Sequence, residues 1–152
     1  MARNKNALRQ HWVAAMPVGD AEPDYKRLAA WITDINDDTA EEVEETAFYD
    51  GDGTPTSDVV SVAMSYSFSG YYDSSDEAQA LIAGLRLETG EGRKIMHKVI
   101  ESDGAKKFVG TATVTDIVAG SGAAEDYEEF SCTIKYDEIP AYDTVATTTT
   151  QA

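Results

Sequence analysis

Large apolar and small polar residues alternate one by one along two stretches of the chain. In residues 60–69 the order is VSVAMSYSFS, and in residues 130–136 it is FSCTIKY. A period of two places every second side chain on the same face of an extended strand. The sequence therefore predicts a mainly β protein whose strands turn one apolar face towards a core.

Turn and composition signals predict two further strands, and one more segment is ambiguous. Residues 93–101 and 106–119 flank Asp103-Gly104, a dipeptide typical of a hairpin turn, and GTATVTDIV within the second stretch is rich in β-branched residues. The apolar residues of segment 28–35 fit either a strand or a helix, so periodicity alone does not decide between them.

One short helix is predicted around residues 75–87. Ser74 and Glu77 fit a capping box, in which each side chain satisfies a free backbone N–H of the helix start. Four apolar residues then recur at helical spacing and form one stripe: Ala78, Leu81, Ile82 and Leu85. We expect this helix to pack against a sheet.

The chain length of 152 residues suits a single domain. We predict an extended N-terminal arm at 1–20, one β domain at 21–143 and a flexible tail at 144–152. The apolar run near the start, Trp12 to Met16, is too short for a signal peptide, and no stretch is long enough to span a bilayer. A single cysteine, Cys132, cannot form an internal disulfide. These features predict a soluble protein made in the cytoplasm.

Charge is unevenly distributed along the chain. The net charge of −16 would repel phosphate groups, which disfavours a nucleic-acid reader. Residues 28–85 carry thirteen acids and no Lys or Arg, whereas the first nineteen residues are basic, with no acid. One interpretation is a solvated acidic surface with a frayed basic end. The other is that the basic arm reaches the acidic face of a neighbouring copy, because complementary patches set the register of association.

No catalytic or metal-binding pattern is present in the sequence. Counted as a calcium loop from Asp50, position six is Pro55 and position twelve is Ser61, so the motif fails and a turn is predicted. The histidines lie in no recognisable motif, and segment 120–126 lacks the lysine of a phosphate loop. We predict a non-enzymatic protein without cofactor.

Five aromatic residues suggest a second interpretation, a platform for a sugar. They are Trp12, Trp31, Tyr66, Tyr71 and Tyr72. Such residues are more often found in the core or in subunit interfaces, and we prefer that assignment.

The order of segments along residues 25–140 resembles the major tail tube proteins of long-tailed bacteriophages. The pieces that carry this resemblance are, in order, Trp31 to Ile35, Tyr49-Asp50-Gly51, Tyr66 to Gly70, the helix opening with Asp73, Asp76, Ala78 and Gln79, Arg93-Lys94, Asp103-Gly104, Gly110, Ala112 to Val114, Gly120, Gly122, Phe130-Ser131 and Pro140.

The resemblance implies a β-sandwich or small barrel with one flanking helix, similar in fold to type VI secretion tube proteins. It also implies homo-hexameric rings that stack into a tube in the virion, assembled in the host cytoplasm. DNA would pass through the lumen without specific binding. The implied partners are the tape-measure protein, the tail terminator and the distal tail or baseplate proteins.

We expect contacts between subunits to involve the arm and the acidic segment, because their charges are opposite. The candidate residues are Arg3, Lys5, Arg9, Trp12, Asp37, Asp38, Glu41, Glu42, Glu44, Glu45, Asp50 and Asp52. Two alternatives remain at this point. One is a tail terminator or neck ring protein, and the other is a β-sandwich carbohydrate-binding module.

Overall fold

A computed structural model describes residues 3–144 of the chain, and it is mainly β with one short helix. The strands are β1 (Gln10–Ala15), β2 (Lys26–Arg27), β3 (Ile32–Asp37), β4 (Ala40–Thr46), β5 (Thr56–Ala63), β6 (Ser65–Tyr71), β7 (Lys94–Ile100), β8 (Lys106–Ala119), β9 (Glu129–Tyr136) and β10 (Ala141–Thr144). The helix is α1 (Glu77–Ala83).

Eight of these strands form one curled sheet that resembles half of a barrel. Its order is β2-β1-β7-β8-β9-β6-β3, and β10 pairs with the start of β8. Strands β4 and β5 pair only with each other and form a separate two-stranded sheet. The predicted mainly β fold with one flanking helix is confirmed.

The two alternating stretches supply neighbouring strands of the sheet. Tyr66 and Phe68 of β6 stand directly opposite Ile134 and Cys132 of β9, and all four side chains are buried. The predicted hairpin between β7 and β8 is also present, with Gly104 at a positive φ of 73° in its turn. Such a φ favours glycine, because it lacks the Cβ that clashes there.

Residues 32–35 of segment 28–35 begin strand β3, which pairs with β6 at the edge of the sheet. The two backbones approach closely at Gly70, where an added Cβ would lie 2.1 Å from the carbonyl oxygen of Trp31. Only glycine fits this position, since any side chain would push β3 away from β6. The pairing with β6 decides between the two secondary structures that periodicity left open.

The helix α1 packs its apolar stripe on the core, as predicted, but its start differs. Asp76 caps the helix by accepting a hydrogen bond from the backbone N–H of Gln79 (3.1 Å). Ser74 does not cap it, because the preceding turn is held by Asp73, whose carboxylate binds Ser75. Buried Gln79 donates to the carbonyl oxygens of Ala30 and Tyr71, which ties the helix to the β3–β6 edge.

Three predicted segments are placed differently by the structure. Within the predicted arm 1–20, residues 10–15 form β1, whose buried Val13 and Ala14 belong to the main sheet. The acidic segment 37–46 has too many charges to be buried, which predicts an exposed loop, but it contains strand β4. Val60 and Val62 lie on β5 and are exposed, because no other element covers them. Apart from Thr144, which ends β10, the predicted tail lies outside the described residues.

Candidate assembly surface

A two-stranded ribbon, residues 40–63, protrudes from the ends of β3 and β6. Its strands β4 and β5 pair in antiparallel register, from Ala40 opposite Ala63 to Thr46 opposite Thr56. Thr46 and Ala63 are half-buried, and every other residue between 40 and 63 is exposed. A lone two-stranded hairpin is marginally stable in water, so a ribbon of this kind is usually stabilised by a partner.

The two faces of the ribbon differ in chemistry. Val43 stands directly opposite Val59, and both are about half exposed (49% and 55%). Val62 lies on the same face, since its partner Glu41 is two residues before Val43. Glu45 completes this face, and its carboxylate accepts a hydrogen bond from Ser57 (3.2 Å). An apolar stripe thus lies between two carboxylates.

The opposite face of the ribbon carries polar pairs beyond Ala40 and Ala63 at its base, and a register shift leaves Val60 without a partner on β4. Glu42 accepts a hydrogen bond from Ser61 (3.4 Å), and Glu44 stands directly opposite Asp58. Like charges opposite each other on adjacent strands are destabilising. This face is therefore suited to water or to cations, and the valine face is suited to a protein surface.

The remaining acidic residues that the sequence suggested for contacts between subunits lie at the tip and base of the ribbon. At the tip, Asp52 accepts a hydrogen bond from the backbone N–H of Thr54 (2.9 Å), which lowers the pKa of Asp52. Asp50 is exposed in the same turn, as the sequence predicted. At the base, Asp37 accepts from the backbone N–H of Thr39 (2.9 Å), while the backbone N–H of Asp38 donates to Ser65.

The basic residues that the sequence suggested for contacts between subunits lie beside the β7–β8 hairpin. Arg9 forms an ion pair with Glu101 (2.8 Å), and Asn4 hydrogen-bonds Ser102 (3.4 Å). Arg3 and Lys5 are exposed on the same segment. The structure therefore places most of the acids on the ribbon and the bases beside the hairpin, with Arg9 and Asp37 lining one cleft. No ion pair joins the two sets within the described residues.

The basic end of the sheet was missed by sequence reasoning. Among the described strands, every Lys and Arg except Lys135 lies on β2, β7 or β8. The charged residues of β3, β4 and β5 are all acids, and β6 has no charged residue. A partial signal was available, because residues 93–107 contain five basic residues. Strand register, which brings Arg27 next to Trp12 and Trp12 next to Lys98, could not be read from the sequence.

The cysteine and both histidines are buried in the core. Burial raises the pKa of the Cys132 thiol to about 12, so it stays protonated and inert. His11 and His97 stack with ring centroids 5.5 Å apart. Burial lowers the pKa of His11 to about 4 and that of His97 well below 6.5, with Arg9 adding to the first shift and His11 to the second. His97 is fully buried, and His11 is 1% exposed beneath the cleft that it lines with Arg9 and Asp37.

The five aromatic residues considered as a sugar platform do not share one surface. Tyr66 is buried, and Tyr72 stacks on Phe130 with centroids 6.3 Å apart. Trp31 and Tyr71 are exposed near the β3–β6 edge, whereas Trp12 lies on β1 near the other end of the sheet. A flat aromatic platform is therefore not formed by this set.

Solved structures with a similar fold come from tubes of phage-tail type. A subunit of the tail of an empty gene transfer agent particle, described with C6 symmetry, aligns with a TM-score of 0.63 at 15% identity, covering 95% of this chain and 100% of that one. The fold is that of phage-tail-like tube proteins. The resemblance predicted from the sequence is thereby confirmed at the level of the fold.

Two related assemblies give similar matches. The sheath–tube complex of the extracellular contractile injection system PVC aligns with a TM-score of 0.56 at 14% identity, covering 94% of this chain and 93% of that one. The tube-terminating cap of the anti-feeding prophage gives 0.55 at 15% identity, covering 95% and 93%. No protein-family model and no curated protein sequence matches the chain. No helix in residues 3–144 has the length and apolar character needed to cross a membrane.

Proposed function

We propose that this chain is the major subunit of a phage-type tail tube, assembling into hexameric rings that stack around a channel for DNA. The observation that carries the proposal is the match of 95% of the chain to a tail subunit of the gene transfer agent. The uncovered ribbon agrees with it, because an apolar stripe left exposed in a monomer marks a surface that a partner covers.

The two ends of the curled sheet support closure into a ring. Strands β2 and β3 are the terminal strands of the sheet order. The first consists of Lys26–Arg27, and the second carries Asp34 and Asp37. A head-to-tail contact joins two different surfaces of identical subunits and closes a ring if the rotation allows. Opposite charges on the two ends favour this contact over end-to-end pairs of the same kind.

Stacking of rings is assigned to the ribbon and to the N-terminal segment before β1. The ribbon carries Glu41 and Glu45 beside its valines, and the segment carries Arg3 and Lys5. All four side chains are exposed. Since the two groups do not meet within one chain, they are available to neighbouring copies.

Electron microscopy of the pure protein tests the assembly. At high concentration, negative-stain images should show open-ended tubes built of six-fold rings. Single rings that never stack would favour the second candidate, a tail terminator or neck ring protein. The match to a tube-terminating cap is the observation behind that candidate. A strictly monomeric protein at millimolar concentration would contradict both assignments.

A non-adhesive lumen is the proposed use of the acidic composition. A wall with a net negative charge offers DNA few contacts that release counterions, so DNA slides through without being held. Assembled tubes mixed with duplex DNA at physiological salt should therefore retain none of it after sedimentation. Retention that falls steeply with added salt would show a basic lumen and contradict the idea.

In the virion, the tube would assemble with a tape-measure protein, a terminator and distal tail or baseplate proteins, after synthesis in the host cytoplasm. The match to tails of whole particles supports a virion location. Immunogold labelling of purified particles would place the chain along the tail, and label confined to one tail end would favour the terminator.

A further inference from the structure

The outward face of β1, β2 and β7 carries a row of aromatic and cationic side chains. By register, Arg27 stands opposite Trp12 on one side, and Lys98 stands opposite Trp12 on the other. The Lys98 ammonium lies 5.2 Å from the centre of the Trp12 ring and 4.4 Å from that of Tyr25. We call these four residues the aromatic–basic surface.

Lys98 and Arg27 differ from three other cations of the described chain, which have carboxylate partners. Lys26 is paired with Asp24 and Glu77, Lys94 with Asp137, and Arg9 with Glu101. No such ion pair involves Lys98 or Arg27 in the part of the chain that the structure describes. Burial and the nearby Lys107 lower the pKa of Lys98, so its charged form lacks the compensation that a carboxylate would give.

The valine face of the ribbon is complementary to this surface in two respects. Its stripe of Val43, Val59 and Val62 offers apolar area to the rings of the aromatic–basic surface. Its flanking carboxylates, Glu41 and Glu45, offer counterions to the two cations. Within one chain, the ribbon extends from the acidic end of the sheet order, and the aromatic–basic surface lies at the other end.

We propose that the valine face of the ribbon of one copy docks on the aromatic–basic surface of a second copy. The proposal rests on the function proposed above and names the partner surface of the ribbon. The contact is heterologous, since each copy offers its ribbon to one neighbour and its surface to another. It therefore propagates through a ring or from ring to ring.

Reciprocal charge reversal tests this contact. The ribbon variant carries Glu41→Lys and Glu45→Lys, and the surface variant carries Arg27→Glu and Lys98→Glu. Each variant alone opposes like charges in every contact, so sedimentation should show assembly reduced at least about tenfold. A one-to-one mixture restores opposite charges at every contact when copies alternate, so it should sediment as large assemblies at wild-type concentrations.

A matched control uses the other face of the ribbon. Glu42→Lys with Glu44→Lys makes the same change in net charge on the face that points away from the valines. This control variant should assemble within about twofold of wild type. Mixing it with the surface variant should not restore assembly of the surface variant. Circular dichroism and a monomer peak confirm that each variant is folded.

The outcomes separate this contact from the proposed function. Normal assembly of both reversed variants, or a mixture no larger than its components, overturns the docking contact and leaves a tube-forming wild type intact. A wild type without tubes contradicts the function, and recovery of complexes by the mixture still supports the docking contact.

Discussion

Replacing the ribbon, residues 40–63, by Asn-Gly is expected to give a folded monomer that forms no tubes. The strands flanking the gap are paired beyond it, with Asp37 opposite Tyr66 and Asp38 bonded to Ser65. Asn-Gly favours the tight turn that such a hairpin needs. Almost every residue removed is exposed, so the free energy of unfolding should change by about 1 kcal/mol or less. Assembly should disappear, because the valine face is lost.

Urea denaturation and sedimentation measure the two effects separately. As a matched control, removal of residues 2–8 leaves β1 complete, since that strand begins at Gln10. This shorter chain should fold and assemble into fewer and shorter tubes, because it loses Arg3 and Lys5 but retains the ribbon. Tubes of normal length from the ribbonless protein would refute the assignment of the ribbon to assembly.

Strands that bury one face were predictable from the sequence. The alternation in 60–69 and 130–136 places Phe68 and Cys132 correctly in the core, because burial of alternate side chains is what selects such sequences. The helix was predictable for the same reason, with Ile82 fully buried at the centre of its stripe. Its cap was misassigned by two residues, since Ser74 and Asp76 offer equivalent side-chain oxygens and only the turn geometry distinguishes them.

Strand β4 was not predictable, and the reason is physical. Its sequence, AEEVEET, has a single apolar β-branched residue, Val43, between acids, and acids are weak strand formers. Val43 alone does not define an apolar face, and the partner that completes this face, Val59, is contributed by β5 through strand register. The aromatic–basic surface was missed for a related reason, since Arg27 and Lys98 become neighbours only through their pairing with β1.

Replacing His11 by Phe is expected to halve the loss in the free energy of unfolding between pH 7 and pH 5. Both ring nitrogens of His11 and Nε2 of His97 are buried without a hydrogen-bond partner, and His97 Nδ1 lies 2.8 Å from the Tyr136 hydroxyl. The rings of Tyr66 and Phe68 contact His11 edge-on. No Asp or Glu is among the buried residues that the structure describes, so no buried carboxylate compensates an imidazolium. The pKa of each imidazole is therefore lower in the folded than in the unfolded chain.

The difference in proton binding between the folded and unfolded chains decides how stability changes with pH. The histidines of the unfolded chain take up protons near pH 6.5, whereas His11 of the folded chain takes one up only near pH 4. The contribution of the neutral histidines to the free energy of unfolding is therefore fully present well above pH 6.5 and decreases as the pH falls. Between pH 7 and pH 5, each buried histidine should lower the free energy of unfolding by about 2 kcal/mol. Wild type should lose about 4 kcal/mol and His11→Phe about 2 kcal/mol, since only His97 then remains.

Urea titrations from pH 7 to pH 5, at a concentration where sedimentation shows monomer, measure this difference. Surface carboxylates titrate mostly below this range and are common to both proteins, so their contribution cancels. The comparison uses the slope with pH, and a constant packing cost of the larger Phe ring leaves it unchanged. Parallel pH profiles for the two proteins would mean that His11 can take up a proton without unfolding the core. The stacked imidazoles would then have access to water, and their burial would not limit the stability of the subunit in acid.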